Sequence, residues 1–441
     1  EHPLELSARL IDTGVIDTQP NRITQELSEL ADGVALVESF SHVVLVDTGE
    51  GLVAFDSSGA QSGKQVVESM RAWSDDPVHT LVYTHGHVDH VGGSRAFAAD
   101  AVDHDRPAPR VLGHRQVIPR FDRYEQTRGY NVTINLRQFG GAAKAAGQLG
   151  DFPFLPPGTL RPDVTYEQQL TERIGDVEFE YNYCKGETDD HTWTWVPKHK
   201  MIGAGDQFIW NFPNCGNPQK VQRYPIEWAE SLRAMAAKQP ELFVPAHGLP
   251  IAGKDRIAQC LDTVATTLDT LVGQVLDAMN SGATLDEIVH GVSVPAETLA
   301  LPYLRPLYDE PEFVVRNIWR LFGGWYDGNP ARLKPPSDIA VGTEIAALAG
   351  GVDKLVERAS ELSSAGDHRL ACQVIEYAVA AEPESHAVHE ARSNIYAARR
   401  GSETSLMAKG IYKSAMADSQ EALTGEVPPV KMVLNIGESV D

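Results

Sequence analysis

Apolar and polar positions alternate in short runs up to about residue 255, and beyond it they settle into a helical period. "HVVLVDTGEGLVAFDSS" predicts two strands joined by a tight, glycine-containing turn. "SGKQVVESMRAWSDD" has the spacing of an amphipathic helix, and "VHTLVYTHGH" that of a buried strand running into a loop. "SRAFAAD" starts a helix, "DVEFEYNYC" and "KHKMIGAGD" are further strands, "PIEWAESLRAMAAKQP" is a helix, and "LFVPAH" is a last short strand. Strands interleaved with helices predict an α/β layered fold.

Residues from about 100 to 170 read as an irregular insertion, rich in Pro, Gly, arginines and aromatics, and so long an insertion predicts a pocket wall or lid. After about residue 255 "DRIAQCLDTVATTLDTLVGQVLDAM", "EFVVRNIWRLFGGWYDG" and "GTEIAALAGGVDKLVERASELSSAG" are helical, as are "DHRLACQVIEYAVAAEP" and "SHAVHEARSNIYAARRG". The last two form one helix–turn–helix unit of the tetratricopeptide kind, short of an array. The predicted layout is a catalytic domain over 1–255, a helical domain over 256–424 and a tail over 425–441 with the strand-like "PPVKMVLNI".

A net charge of −23 over 441 residues opposes binding to nucleic acid or to an anionic membrane surface. No apolar run approaches the ~20 residues of a membrane span. The first residue is Glu1 rather than Met, which leaves both a cytoplasmic protein and an exported one with its leader removed open. Cys184, Cys215, Cys260 and Cys372 stand far apart, without the pattern of a disulfide framework.

The chemistry gathers in "YTHGHVDHVGG", where His85, His87, Asp89 and His90 fit H-x-H-x-D-H between an apolar strand and a helix. A loop at a strand's end can turn successive imidazoles in different directions, so two ions can be served. Imidazole and carboxylate suit zinc, and also iron or manganese. There is no G-x-S-x-G elbow, and "GGSRAF" lacks the lysine of a phosphate loop.

This motif resembles that of the metallo-β-lactamase fold superfamily, over roughly residues 30 to 255. The resemblance implies an αββα sandwich with two metal ions. It assigns His85, His87 and Glu187 of "YNYCKGETDD" to the first ion, and Asp89, His90 and His247 of "LFVPAHG" to the second, with Asp206 of "MIGAGDQF" bridging both. His191 remains an alternative to Glu187, which stands where the superfamily more often has histidine. "VAFDSSG" resembles its early strand–Asp–turn, so Asp56 is expected to orient the metal loop from behind.

Glutamate at that position is a feature of the zinc-dependent alkylsulfatases. "GGWYDGNPARLKP", "AGDHRLACQVIEYAVAAEPES" and "AKGIYKSAMAD" resemble their helical dimerisation domain, and "NVTINLRQFGG" their pocket insertion. The resemblance implies a homodimer and a small anionic ester as substrate, an alkyl sulfate first of all. A metal-bridging hydroxide would be the nucleophile, and Asp89 and Asp206 would carry the chemistry. Two features depart from that branch. Its C-terminal sterol-carrier-like domain has no counterpart here, and "DQFIWNFPNCGNPQKVQRYPIEW" replaces its sulfate-binding stretch, with Asp206 in place of its bridging glutamate. Arg223, Lys220, Asn217, Trp210, Arg137 and Arg115 are the candidate substrate contacts. The same scaffold could serve a carboxylic ester, lactone or phosphoester, an iron oxygenase, or a partner-binding protein with a structural metal.

Overall fold

Two β-sheets lie face to face, and their central strands carry apolar side chains on both faces. The computed structural model describes residues 1–142, 145 and 152–428. The first sheet runs in sequence order: β1 (Leu27–Ala31), β2 (Val34–Val37), β3 (Val43–Asp47), β4 (Leu52–Phe55), β5 (Val78–Val82), β6 (Arg110–His114) and β7 (Val164–Tyr166). The second runs in reverse: β13 (Ile251–Ala252), β12 (Leu242–Pro245), β11 (Met201–Gly205), β10 (His191–Val196), β9 (Val177–Cys184) and β8 (Gln169–Ile174). Strands β4 to β7 pair in parallel, as do β11 and β12, and the other pairs are antiparallel.

The period-2 pattern sorts side chains between layers. In β3, Val44 and Val46 face the inter-sheet core with Phe179, Tyr181, Met201 and Val244. Val43 and Leu45 face the opposite way, onto Val66 and Met70 of the helix Gly63–Trp73 and Phe97 of Ser94–Asp103. Beyond the second sheet, Ile202, Ala204 and Phe243 pack under the helices Pro225–Ala237 and Lys254–Asn280. The long helix presents Ile257, Leu261, Val264, Leu268, Leu271 and Val275, a stripe at helical spacing. Each such side chain contributes roughly 1.5–3 kcal/mol when fully buried. The result is the αββα sandwich expected from the sequence.

The first compact unit comprises Glu1–Thr127 and Pro153–Trp325. The change of pattern near 255 therefore marks where strands stop, not where this unit ends. The helices Lys254–Asn280 and Pro311–Gly323 belong to it because their apolar stripes complete the cover over the second sheet. The region from 100 to 170 is far from irregular, since it supplies β6, β7 and the helices Val117–Gln126 and Arg128–Gln138. Pro119 and Gly129 sit in the first turns of those helices, where they are tolerated, and hid them from a reading by composition.

The second unit comprises, among the described residues, those of Arg128–Phe152 and 326–428, and its regular elements are all helices. His368–Ala381 and His386–Gly401 form the expected helix pair, around Ala371, Ile375, Ala378, Val388 and Ile395. Nearly all of "PPVKMVLNI" lies outside the described residues. No helix among the described residues is long and apolar enough to cross a membrane.

Candidate metal centre

Five strand ends deliver the site. Asp56 follows β4, the histidine-rich loop follows β5, Glu187 follows β9, Asp206 follows β11 and His247 follows β12. Seven side chains meet there in two groups, His85, His87, Glu187 and Asp206, and Asp89, His90 and His247. Within each group the donor atoms all lie within 4.8 Å of one another. The two groups adjoin at Asp206, whose Oδ2 is 3.8 Å from His85 Nε2, 3.4 Å from His90 Nε2 and 3.6 Å from His247 Nε2. Asp89 Oδ2 is 3.5 Å from His90 Nε2 and 3.4 Å from His247 Nε2.

The hydrogen bonds behind the cluster aim it. Asp56 is fully buried and adopts a left-handed φ of 62°, a conformation that aspartate tolerates better than most residues. Its carboxylate accepts from the Thr84 backbone N–H at 2.8 Å and the Thr84 hydroxyl at 2.7 Å, and lies 2.7 Å from His90 Nδ1. That contact holds a proton on His90 Nδ1 and leaves Nε2 to face Asp89 and Asp206, where a metal ion would take the place of its second proton. A second buttress is buried as well. Arg120 donates to Asp190 Oδ2 at 2.7 Å, and the same oxygen accepts from the Gly86 N–H at 3.0 Å, between His85 and His87.

Glu187 is held from the other side. Arg223 NH1 donates to its Oε1 at 2.8 Å and to its carbonyl at 2.6 Å, and the Asn214 amide also donates to Oε1. Its other oxygen, Oε2, is buried with no hydrogen-bond partner, as are Asp206 Oδ1 and His90 Nε2. Leaving such groups unpaired costs on the order of 1–3 kcal/mol each. Buried, unpartnered carboxylate oxygens on Glu187 and Asp206, two members of one donor cluster, are what a cation site presents.

The electrostatics agree. Burial holds His85 and His87 well below the usual histidine range, aided by His90 beside the first and by Arg223 and Arg120 beside the second, so both are the neutral imidazoles that a metal needs. Burial pushes Glu187 up to about 8, with Arg223 opposing and Asp206 adding to the rise. Burial also disfavours charged His90, but Asp206, Asp89 and Asp56 outweigh it and raise its pKa well above the usual value. The protein groups alone therefore hold a proton where a divalent ion would replace it.

His191 is placed elsewhere in the network. Its Nε2 accepts from the Asp206 backbone N–H at 3.0 Å and its Nδ1 faces Cys184 Sγ at 3.6 Å, so both nitrogens are engaged. Gly205 precedes Asp206 at φ 55°, and a Cβ there would lie 2.6 Å from the His191 ring. Of the two first-group candidates, Glu187 is the one that joins the cluster.

The expected substrate contacts separate. Arg223 and Asn217 are buried, and Lys220 half-buried, on the segment that follows Asp206. Burial and Arg223 push the Lys220 ammonium down to about 8, against the pull of Asp89 and Glu187. Trp210 is not a pocket wall. It is fully buried, it donates from its indole N–H to the Leu249 carbonyl at 2.8 Å, and it packs against Phe208, so it braces the loop after His247. Arg115 pairs with Glu167 at the surface, and Arg137 belongs to the second unit. Asn214 was missed, along with the Arg120–Asp190 pair. "NFPNCGN" sets three asparagines at a spacing of three, but nothing in that run says which one reaches Glu187.

Residues 36–247 match the family described as Metallo-beta-lactamase superfamily, and residues 284–422 the one described as Alkyl sulfatase dimerisation. A linear primary-alkylsulfatase of Pseudomonas sp. is 25% identical over 357 residues, 78% of this chain and 66% of the relative. An (R)-specific secondary-alkylsulfatase of Pseudomonas sp. is 24% identical over 372 residues, 78% of this chain and 54% of the relative. The solved structure of the stereoselective inverting sec-alkylsulfatase Pisa1 from Pseudomonas sp. shares the fold with a TM-score of 0.78 at 21% identity, over 92% of this chain and 66% of that one. The chain thus spans between about half and two thirds of the length of these relatives.

Proposed function

The chain belongs to the metallo-beta-lactamase superfamily and carries an alkyl sulfatase dimerisation domain, and from that premise we propose that it is a two-metal hydrolase of alkyl sulfate esters. The observation that carries the reading is the junction at Asp206, where two groups of imidazoles and carboxylates adjoin beside buried, unpartnered carboxylate oxygens. His85, His87 and Glu187 would hold one ion, Asp89, His90 and His247 the other, and Asp206 both. Zinc suits this donor set of four imidazoles and three carboxylates, and iron or manganese would also fit.

Two such ions supply a water of lowered pKa and a positive seat for an anionic ester. The chain's own residues do the rest. Asp56 fixes the His90 tautomer, and Arg223 with Asn214 turns Glu187 so that Oε2 faces the centre. Lys220 stands in the field of Asp89 and Glu187, and we assign it, with Asn217, to the sulfate head. Arg223 serves that head through Glu187 rather than by a contact of its own. The helical domain is assigned to a homodimer, in keeping with the family it matches.

The test is a panel of linear alkyl sulfates, carboxylic esters, lactones and phosphoesters, assayed before and after chelation. Sulfate release that chelation abolishes and zinc restores supports the reading. Rapid turnover of a lactone or carboxylic ester with no sulfate release would leave the metal centre standing and overturn the substrate.

A further inference from the structure

The segment after Asp206 is tied down by groups distant in sequence. Residues 212 to 224 carry both groups that grip Glu187, yet they include no helix or strand. Their anchors come from far along the chain. The Phe212 N–H donates to the Arg305 carbonyl at 2.9 Å. The Gly216 N–H donates to Asp309 Oδ2 at 2.6 Å, and Asp309 Oδ1 accepts from the Glu310 N–H at 2.7 Å. Gly216 comes so close to the start of the helix Pro311–Gly323 that a Cβ there would lie 2.2 Å from Phe313 C and Val314 N. Only glycine fits such an approach.

The third anchor is the most direct. The Asn317 amide straddles the backbone of Arg223. Its Oδ1 accepts from the Arg223 N–H at 3.3 Å, and its Nδ2 donates to the Arg223 carbonyl at 3.0 Å. This two-way pairing fixes the orientation of the amide. The same Oδ1 accepts from Gln222 Nε2 at 2.8 Å, and Asn317 is 7% exposed, so these bonds are shielded from water. From that clamped backbone the Arg223 side chain reaches both oxygens of Glu187 that it touches, the carbonyl and Oε1.

We propose that Asn317 is a positioning residue of the metal centre: by clamping the Arg223 backbone it fixes the guanidinium that turns Glu187 toward the first metal group. The clamp lies inside the stretch that matches the alkyl sulfatase dimerisation family, so that stretch also serves the site of the preceding domain. This inference rests on the proposed role of Glu187 as a metal ligand.

The test titrates the apo full chain with cobalt(II), followed by calorimetry and visible absorption. Wild type should take up two ions. Asn317→Ala should weaken one binding step on the order of 10–100-fold and leave the other in place, the size seen when groups behind a ligand are removed. In a Glu187→Gln background the same substitution should add nothing, because the path from Asn317 to the metal ends at Glu187. Asn317→Asp keeps the acceptor and loses the donor, so it should fall between wild type and alanine. It carries the same readout if the alanine variant does not fold. Equal weakening of both steps, or a full additional loss in the Glu187→Gln background, would show a general structural role and overturn the inference. Two ions bound with no effect of either Asn317 variant would overturn it while leaving the metal reading intact. Wild-type chain that takes up fewer than two ions would overturn the reading beneath it.

Discussion

His191 Nε2 accepts a hydrogen bond from the backbone N–H of Asp206 at 3.0 Å, so the histidine orients Asp206 and stands outside the clustered donors. Burial pushes His191 down to about 4, which keeps it neutral and able to accept that bond. His191→Ala should therefore leave both ions in place and weaken them by roughly 10–100-fold. Glu187→Gln should cost the first ion outright, because a neutral amide is a much poorer ligand than a carboxylate. Metal stoichiometry of the two variants checks this. An empty first group in His191→Ala alongside a filled one in Glu187→Gln would reverse the assignment.

Asp206→Ala should have a different signature, because its Oδ2 lies within 4 Å of His85, His90 and His247 together. Removing it takes a ligand from both groups at once. Elemental analysis should fall from two ions toward one or fewer, with activity lost in step. Loss of one ion with the other at full affinity would show that Asp206 serves a single group.

Asp56→Ala probes the next layer. The substitution strands the Thr84 N–H and releases His90 to its other tautomer. A metal affinity lower by roughly 10–100-fold is expected at the group containing His90, with the first group less affected. Equal loss at both groups would mean that the β4–β5 corner had collapsed.

Of the seven clustered residues, His85, His87, Asp89 and His90 were legible in one short motif, while Glu187, Asp206 and His247 came from the resemblance to the superfamily, each at or just past a strand's end. The interleaving of strands with helices announced a layered fold, and the resemblance supplied the sandwich. What holds the ligands was not legible. Asn317 lies 94 residues from Arg223, and Asp309 lies 93 from Gly216, and no local pattern links the members of either pair. Trp210 read as a pocket aromatic because sequence shows its nearness to Asp206 but not the direction of its ring. Its left-handed φ of 54° turns it into the core. The helices Val117–Gln126 and Arg128–Gln138 were hidden by early Pro and Gly and by charged residues that a loop would also carry.

Asp309 gives the fold a pH dependence. Burial pushes its carboxyl up from 3.8 to about 7, and the Gly216 and Glu310 N–H groups lower it only part of the way back. Its folded pKa exceeds its unfolded one, so the native state holds the proton more tightly. That stability is fully present below pH ~4 and is lost as pH rises through about 7, a change on the order of 4 kcal/mol. Asp309→Asn removes this dependence. The variant's deficit in melting temperature should be greatest near pH 4 and shrink as pH rises through about 7. A deficit that does not change with pH would show that Asp309 is ionised throughout.

The substrate prediction sets a shared head against a variable tail. An alkyl chain leaving water for an apolar pocket contributes roughly 0.8 kcal/mol per methylene, about a fourfold gain in affinity per carbon. KM for linear alkyl sulfates should fall with length and then level off as the pocket fills. Lys220→Ala should raise KM by the same factor across the series, because the contact proposed for it is to the head alone. Arg223→Ala should also act evenly along the series, but through the metal. Its guanidinium lies 2.8 Å from Glu187 Oε1, so the loss should appear in kcat and in metal content, and added zinc should recover part of it. Asn317→Ala should follow the Arg223 pattern and not the Lys220 one. If Arg223→Ala raises KM with kcat and metal content unchanged, Arg223 touches the sulfate itself and its bond to Glu187 opens when substrate enters.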